Sequence, residues 1–180
     1  MWRGRSFLIS LLVIVIVAAI TDGFREWRAL RYGGPQPPAA TGAPLTGRAR
    51  VVDGDSLEIG GHRIRLFGID APELHQDCAT QAGRSYACGQ AARRALEGLI
   101  GARAVTCTPV GQSHDRAVAL CQTNGRDLSE AQVRDGHALE LWRFSRGRYT
   151  AAEREARTAR RGLWAGAFAE PAAWRREHGR

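Results

Sequence analysis

The chain has 180 residues, 26 of them basic and 18 acidic, for a formal net charge of +8, with 44% hydrophobic residues and four cysteines. That length holds one modest domain with flanking segments and excludes a multi-domain enzyme, while the hydrophobic and charged fractions exclude wholesale disorder and collagen-like or coiled-coil architecture. Every basic residue is Arg, which suits bidentate phosphate contacts but also follows from an Arg/Ala/Gly-biased composition; the positive excess points to anionic partners, nucleic acid or a membrane surface.

At the amino end, Arg3 and Arg5 precede an uncharged run from Ser6 to Thr21, closed by Asp22. As a helix this run rises about 24 Å, short of a hydrocarbon core of roughly 30 Å, which suits the apolar part of a signal peptide. Val17-Ala18-Ala19 offers a small-residue cleavage site. The basic, aromatic stretch from Phe24 to Tyr32 instead resembles the interfacial flank of an uncleaved anchor. Residues 1–22 therefore read as a signal peptide or a membrane anchor. Either one sends the rest of the chain across the membrane, to the periplasm or the outside, with attachment to the inner membrane through residues 6–21 if the segment is retained. Residues 23–47 form the basic flank and a linker, since residues 33–47 hold four of the seven prolines and no charge. The folded domain is expected over residues 48–166, with 21 Arg and 16 acidic residues from Arg48 onward, and residues 167–180 read as a tail.

Within the domain, Arg48 to Val52 and Ser56 to Leu66 have strand character, the second folded into a hairpin about Gly60-Gly61. From Gly89 to Ile100 the apolar residues Ala92, Ala95, Leu96 and Leu99 recur at helical spacing, and Gly101 stops the run. Ala104 to Thr108 and Arg116 to Gln122 follow as strands. Asp127 with Glu130 forms a capping-box-like start for a short helix ending at Gly136. Ala138 to Phe144 reads as a last strand, and Thr150 to Arg161 as a helix closed by Gly162. In an exported chain the cysteines suggest two disulfides, and sequence position favours Cys78 with Cys88 and Cys107 with Cys121. A zinc site is the rival reading, but there is no CxxC pair and the spacings of 10, 19 and 14 match no common finger.

The chemistry is concentrated between Val51 and Glu73, VVDGDSLEIGGHRIRLFGIDAPE. Folded about Gly60-Gly61, the hairpin sets Ser56 opposite Arg65, Asp55 opposite Leu66 and Asp53 opposite Gly68, so carboxylates and an arginine meet at its open end. Asp70 and Glu73 follow as the chain leaves the strand and return to the same end. Neighbouring carboxylates repel unless a cation lies between them, and hard oxygen donors suit Ca2+ or Mg2+. A metal beside an arginine serves phosphoryl chemistry, because both neutralise charge on the reacting phosphate. Glu73 would remain as a base for water. The alternative is that Asp53-Gly54-Asp55 is only a turn and that Arg65 pairs with Glu58 or Asp55 in a solvated ion pair.

The order D-G-D-S, R-I-R-L, D-A-P-E resembles that of the micrococcal nuclease (thermonuclease, staphylococcal nuclease-like) family. The likeness runs from about Arg48 to Gly166 and takes in Arg116-Ala117-Val118-Ala119, Asn124-Gly125-Arg126-Asp127-Leu128, Val133-Arg134-Asp135-Gly136-His137-Ala138 and Arg160-Arg161-Gly162-Leu163-Trp164. It implies an α+β chain: an OB-fold-type five-stranded β-barrel with about three helices, preceded by the hydrophobic helix and linker. It also implies a Ca2+-dependent phosphodiesterase acting on DNA and RNA and leaving 3′-phosphate ends. Carried over, Asp55 and Asp70 are direct calcium ligands, Ala71 supplies its carbonyl where the family often has Thr, and Asp53 stands behind them. Glu73 orients or deprotonates the attacking water, while Arg65 and Arg116 clamp the phosphate. The family's Asp-Arg/Lys-Tyr-Gly-Arg run is here Gln112-Ser113-His114-Asp115-Arg116, which opens the prospect of Asp115 drawing Arg116 away and puts His114 at the substrate-contacting tyrosine position, with a surface-loop histidine as the favoured alternative. Trp142 and Phe144 fall where base-contacting tyrosines stand, and packing in the core or rim is the alternative for each.

Two further readings compete with a monomeric exported nuclease. An OB-fold module that has lost catalysis and binds nucleic acid or protein is one, against which every expected chemical position carries a competent side chain. A membrane-attached module holding anionic lipid through Arg25, Arg28 and Arg31 is the other; it explains the flank but not the carboxylates.

Overall fold

The structure, a computed structural model, describes residues 36–179, so the expected signal peptide or anchor and its basic flank lie outside the described residues. Five strands close into a barrel: β1 (Leu45–Val51), β2 (Ser56–Ile59), β3 (His62–Leu66), β7 (Ala104–Ser113) and β8 (Arg116–Thr123). Their order is β3-β2-β1-β7-β8, and the parallel pairing of β3 with β8, Arg65 opposite Val118, closes the ring. This is the OB-type barrel that the resemblance implies, accompanied among the described residues by five α-helices rather than about three, and closure removes the free sheet edges.

The hairpin follows from its turn. Gly60 and Gly61 sit at φ +57° and +85°, where two glycines match the strand twist, and the register they set is Ser56 to Arg65 and Ile59 to His62. Every second side chain then points inward. Leu57, Ile64, Leu66, Val105 and Ala119 are buried in the barrel, whose end is covered by Ala92, Leu96 and Ile100 of helix α1 (Cys88–Ile100). Cys107 and Cys121 stand opposite each other on β7 and β8 and are joined, as are Cys78 and Cys88, and no free cysteine remains among the described residues.

Helix α2 (Leu128–Arg134) begins at Asp127, whose carboxylate accepts from the Glu130 backbone N–H at 3.1 Å, as the capping pattern requires. It is followed by α3 (Trp142–Ser145), α4 (Thr150–Thr158) and α5 (Pro171–Glu177). Three short ladders complete the fold, with β4 (Ile69–Asp70) paired to β10 (Leu139–Glu140), β5 (Cys78–Ala79) to β6 (Ser85–Tyr86), and β9 (Arg126–Asp127) to the end of β8.

Four local expectations change. The strand expected to end at Thr108 runs on to Ser113, because Gly111 to Ser113 keep pairing with Val118 to Arg116 of β8. The first strand begins at Leu45, because Leu45 to Arg48 pair with Cys107 to Ala104 beyond the reach of β2. The expected strand from Ala138 to Phe144 shrinks to Leu139–Glu140: its only partner is the two-residue β4, and after Leu141 N–H donates to Gly68 the chain turns into α3. The segment expected as a tail carries a helix, α5, started by Pro171 in its first turn.

Candidate active site

The loop from β1 to β2 presents Asp53-Gly54-Asp55. Asp53 accepts from the Asp55 backbone N–H at 3.0 Å, a turn that aims Asp55 inward. The glycine between them is a packing requirement, since a Cβ there would lie 2.6 Å from Ala71 Cβ and 2.7 Å from Ala92 Cβ. From the other side, buried Gln132 of α2 donates its amide to the carbonyls of Gly54 at 2.8 Å and Ala92 at 3.0 Å, tying the loop to α1 and α2.

Asp55 is 4% exposed and Asp70, on β4, 2%. Asp55 accepts from the Ser56 hydroxyl at 3.0 Å and from the Ala71 N–H at 3.1 Å. Arg65 reaches across from β3 to both acids, its Nη2 lying 3.1 Å from Asp55 and 2.8 Å from Asp70. Arg116, at the start of β8, donates to the same Ser56 hydroxyl at 3.2 Å. After Ala71-Pro72 the chain bends back through a turn that Gln76 holds, its side-chain oxygen accepting from Glu73 N–H at 3.2 Å and its amide donating to the Ala169 carbonyl at 2.7 Å. This turn directs Glu73 towards Asp70.

Asp53, Asp55, Arg65, Ala71, Glu73, His114 and Arg116 line one cavity of about 600 Å3, and Asp70 joins them through Arg65. Burial pushes the Asp55 carboxyl up to about 6, with Asp53 and Asp70 adding to the rise and Arg65 opposing it. Burial works against the Arg65 charge, but Asp55 and Asp70 outweigh it and hold the guanidinium above its ordinary value.

Asp115 does not draw Arg116 away. It pairs with Arg63 at 2.8 Å, out on the surface. Trp142 and Phe144 are 62% and 64% exposed, so neither belongs to the core; Phe144 lines the same cavity and Trp142 a neighbouring one of about 660 Å3.

Ser56 belongs to the D-G-D-S run, but its bond to Arg116 is not legible there, and three contributors carry no signature in the sequence at all. Gln76 and Gln132 act through bonds to distant segments. The third is Arg175 on α5, which donates to Asp70 at 3.0 and 2.9 Å and to Glu73 at 2.8 Å. The hydrogen bonds to Asp70 raise the Arg175 guanidinium well above its ordinary value, with those to Glu73 adding to this against partial burial.

The sequence pattern of the staphylococcal nuclease homologue family matches residues 63–166. That span starts within β3, so it is the fold that joins Asp53 and Asp55 to it. The chain is 33% identical over 129 residues to the succinoglycan biosynthesis protein ExoI of Rhizobium meliloti (strain 1021), covering 70% of this chain and 68% of that protein. It is 36% identical over 122 residues to the probable staphylococcal-like nuclease CAN2 of Oryza sativa subsp. japonica, covering 64% of this chain but 30% of the rice protein. Protein ParB of Escherichia coli is 32% identical over 148 residues, 71% of this chain and 77% of ParB. With the barrel, the matched span and these relatives together, the chain belongs to the staphylococcal nuclease homologue family.

Proposed function

We propose that this protein is an exported, calcium-dependent phosphodiesterase that hydrolyses DNA and RNA and leaves 3′-phosphate ends. The observation that carries this reading is one cavity lined by Asp55, Glu73, Arg65 and Arg116, with a second buried acid, Asp70, tied to its wall through Arg65 and lining the neighbouring cavity. Arg65 and Arg116 would grip the phosphate oxygens as planar forks, and Ser56 holds Arg116 at the angle that aims it inward. Glu73, 24% exposed and hence in reach of water, would take the proton as the water oxygen bonds to phosphorus. The bond from phosphorus to the 5′ oxygen would then break, that oxygen taking a proton from solvent water, to leave a 5′ hydroxyl and a 3′ phosphate.

The donor set fits a hard divalent ion. Asp55 and Asp70 offer only carboxylate oxygens, with the Ala71 carbonyl directly after Asp70 in the chain, and the burial of Asp55 outweighs the opposing charge of Arg65. Among the described residues no three His, Cys, Asp or Glu side chains form a ready cage, so water would complete the coordination, and an irregular donor set of this kind is tolerated better by the flexible geometry of Ca2+ than by the near-ideal octahedron Mg2+ demands. Bound by Asp55, Asp70 and Ala71, the ion would supply positive charge to the phosphate oxygens. The two disulfides support export, since such bonds persist in oxidising compartments. Residues 1–22 would provide the signal or the anchor, and the domain would act as a monomer.

One observation favours a second reading, a nucleic-acid-binding module without catalysis: Arg175 engages Asp70 and Glu73 together. Incubation with supercoiled plasmid and with single-stranded RNA separates the two. The expected outcome is cleavage with Ca2+, none in EGTA, and recovery when Ca2+ is returned. Full activity in EGTA with Mg2+ would contradict the calcium assignment, and binding without cleavage in any divalent ion would establish the module.

A further inference from the structure

We propose that α5 is a built-in competitor for the divalent cation, with Arg175 holding the carboxylates until the cation displaces it. This rests on the reading of Asp70 and Glu73 as members of a cation-dependent site. The Arg175 fork takes both oxygens of Asp70, at 3.0 and 2.9 Å, and extends to Glu73 Oε1 at 2.8 Å. It thereby engages the acid assigned to the cation and the acid assigned to the water at once. Charge follows the same logic. Asp53, Asp55, Glu73, Arg65, Arg116 and Arg175 line the cavity and Asp70 is ion-paired to Arg65 and Arg175 from the neighbouring one, so withdrawing Arg175 from these four acids leaves a formal excess of two negative charges, the complement of a divalent ion.

The attachment of α5 suits a displaceable arm. The chain is pinned up to Ala169 by the paired backbone bonds of Ala79 and Ala167, at 2.8 and 3.1 Å, and by the Gln76 amide on the Ala169 carbonyl at 2.7 Å. Pro171 is buried, but from Ala172 to His178 Arg175 alone makes side-chain hydrogen bonds or ion pairs to the barrel among the described residues. Trp174 stacks on His178 within the arm itself, with ring centroids 4.0 Å apart. A helix of seven residues has little stability of its own, so its docked state depends on the Arg175 contacts together with buried Pro171 and the half-buried Ala172, Ala173 and Trp174. The arm also stands between two cavities, giving Arg175 to the carboxylate cavity and Pro171 and Ala172 to the one lined by Trp142. Its withdrawal would join them into one groove. The apparent cation affinity is then the intrinsic affinity reduced by the fraction of molecules with the arm withdrawn.

Calcium chloride alone, titrated calorimetrically into the full chain and into Arg175→Ala, tests this. If the arm is withdrawn in about a tenth of molecules, Arg175→Ala should bind Ca2+ roughly tenfold more tightly. Arg175→Lys, which keeps the charge and loses the two-pronged contact, should fall between the two. Amide hydrogen exchange over residues 171–177 supplies a readout that simple charge removal would not move: Ca2+ should accelerate it in the wild type, and in Arg175→Ala it should be fast without Ca2+. Equal or weaker binding by Arg175→Ala, or exchange over 171–177 that ignores Ca2+, overturns the competitor role alone. Failure of both proteins to take up Ca2+ removes the proposed function with it.

Discussion

Ser56 couples the two charge signs of the cavity, its hydroxyl donating to Asp55 at 3.0 Å and accepting from Arg116 at 3.2 Å. One side chain at the start of β2 thus fixes the angle of an acid and of the arginine proposed to grip the phosphate. Arg65 has a harder task. It is the guanidinium that answers both Asp55 and Asp70, the first of which burial already pushes up to about 6. A lysine there keeps the charge but presents a point donor where a planar fork is needed. Losing one charge-assisted contact of this kind corresponds to roughly a ten- to hundredfold fall in rate, so Arg65→Lys should lower kcat/KM on an oligonucleotide by that factor. The circular dichroism spectrum should stay that of the wild type. Unchanged kcat/KM would reduce Arg65 to an ion-pair partner of the two acids.

Between elements, the disulfide joining Cys107 to Cys121 ties β7 to β8, the strand that closes the barrel on β3. Its closed loop spans a separation of 14 residues. The double variant Cys107→Ala/Cys121→Ala should therefore lose about 3 kcal/mol in urea unfolding on the chain-entropy model, and a loss below the error of the measurement would show that β8 holds its place without the staple. The same elements mark how far the sequence is readable. The hairpin and its acids are legible because Gly60-Gly61 sets the register by local backbone chemistry, and the Ser56 to Arg65 pairing follows by counting. The N-cap of α2 is legible for the same reason. The segment from Ala138 is not, because its length as a strand is set by a two-residue partner elsewhere in the chain. Gln132 and Arg175 are least legible of all: their contacts span 78 and 105 residues, and in sequence the first looks like an ordinary polar residue on a short helix and the second like one basic residue of a tail.

For the whole molecule, the barrel is a frame that brings β1–β2 loop, β3, β4 and β8 to one end, and the carboxy-terminal segment returns to that end to complete the cavity wall. The formal charge of +8 suits a polyanionic substrate, and a cavity in which acids and arginines alternate suits cutting its backbone rather than only holding it. That distinction rests on Glu73, which binds Arg175 in the docked state and would face water once the arm withdraws. Single-turnover cleavage of an end-labelled oligonucleotide at saturating Ca2+, comparing the wild type with Glu73→Gln and with cation affinity titrated in parallel, tests it most directly. Glutamine keeps the size and hydrogen-bonding capacity of the side chain but not its basicity, so the rate should fall by roughly two to four orders of magnitude. Ca2+ affinity should hold or tighten slightly, because Arg175 loses one of its partners. Cleavage by Glu73→Gln at the wild-type rate would contradict the account.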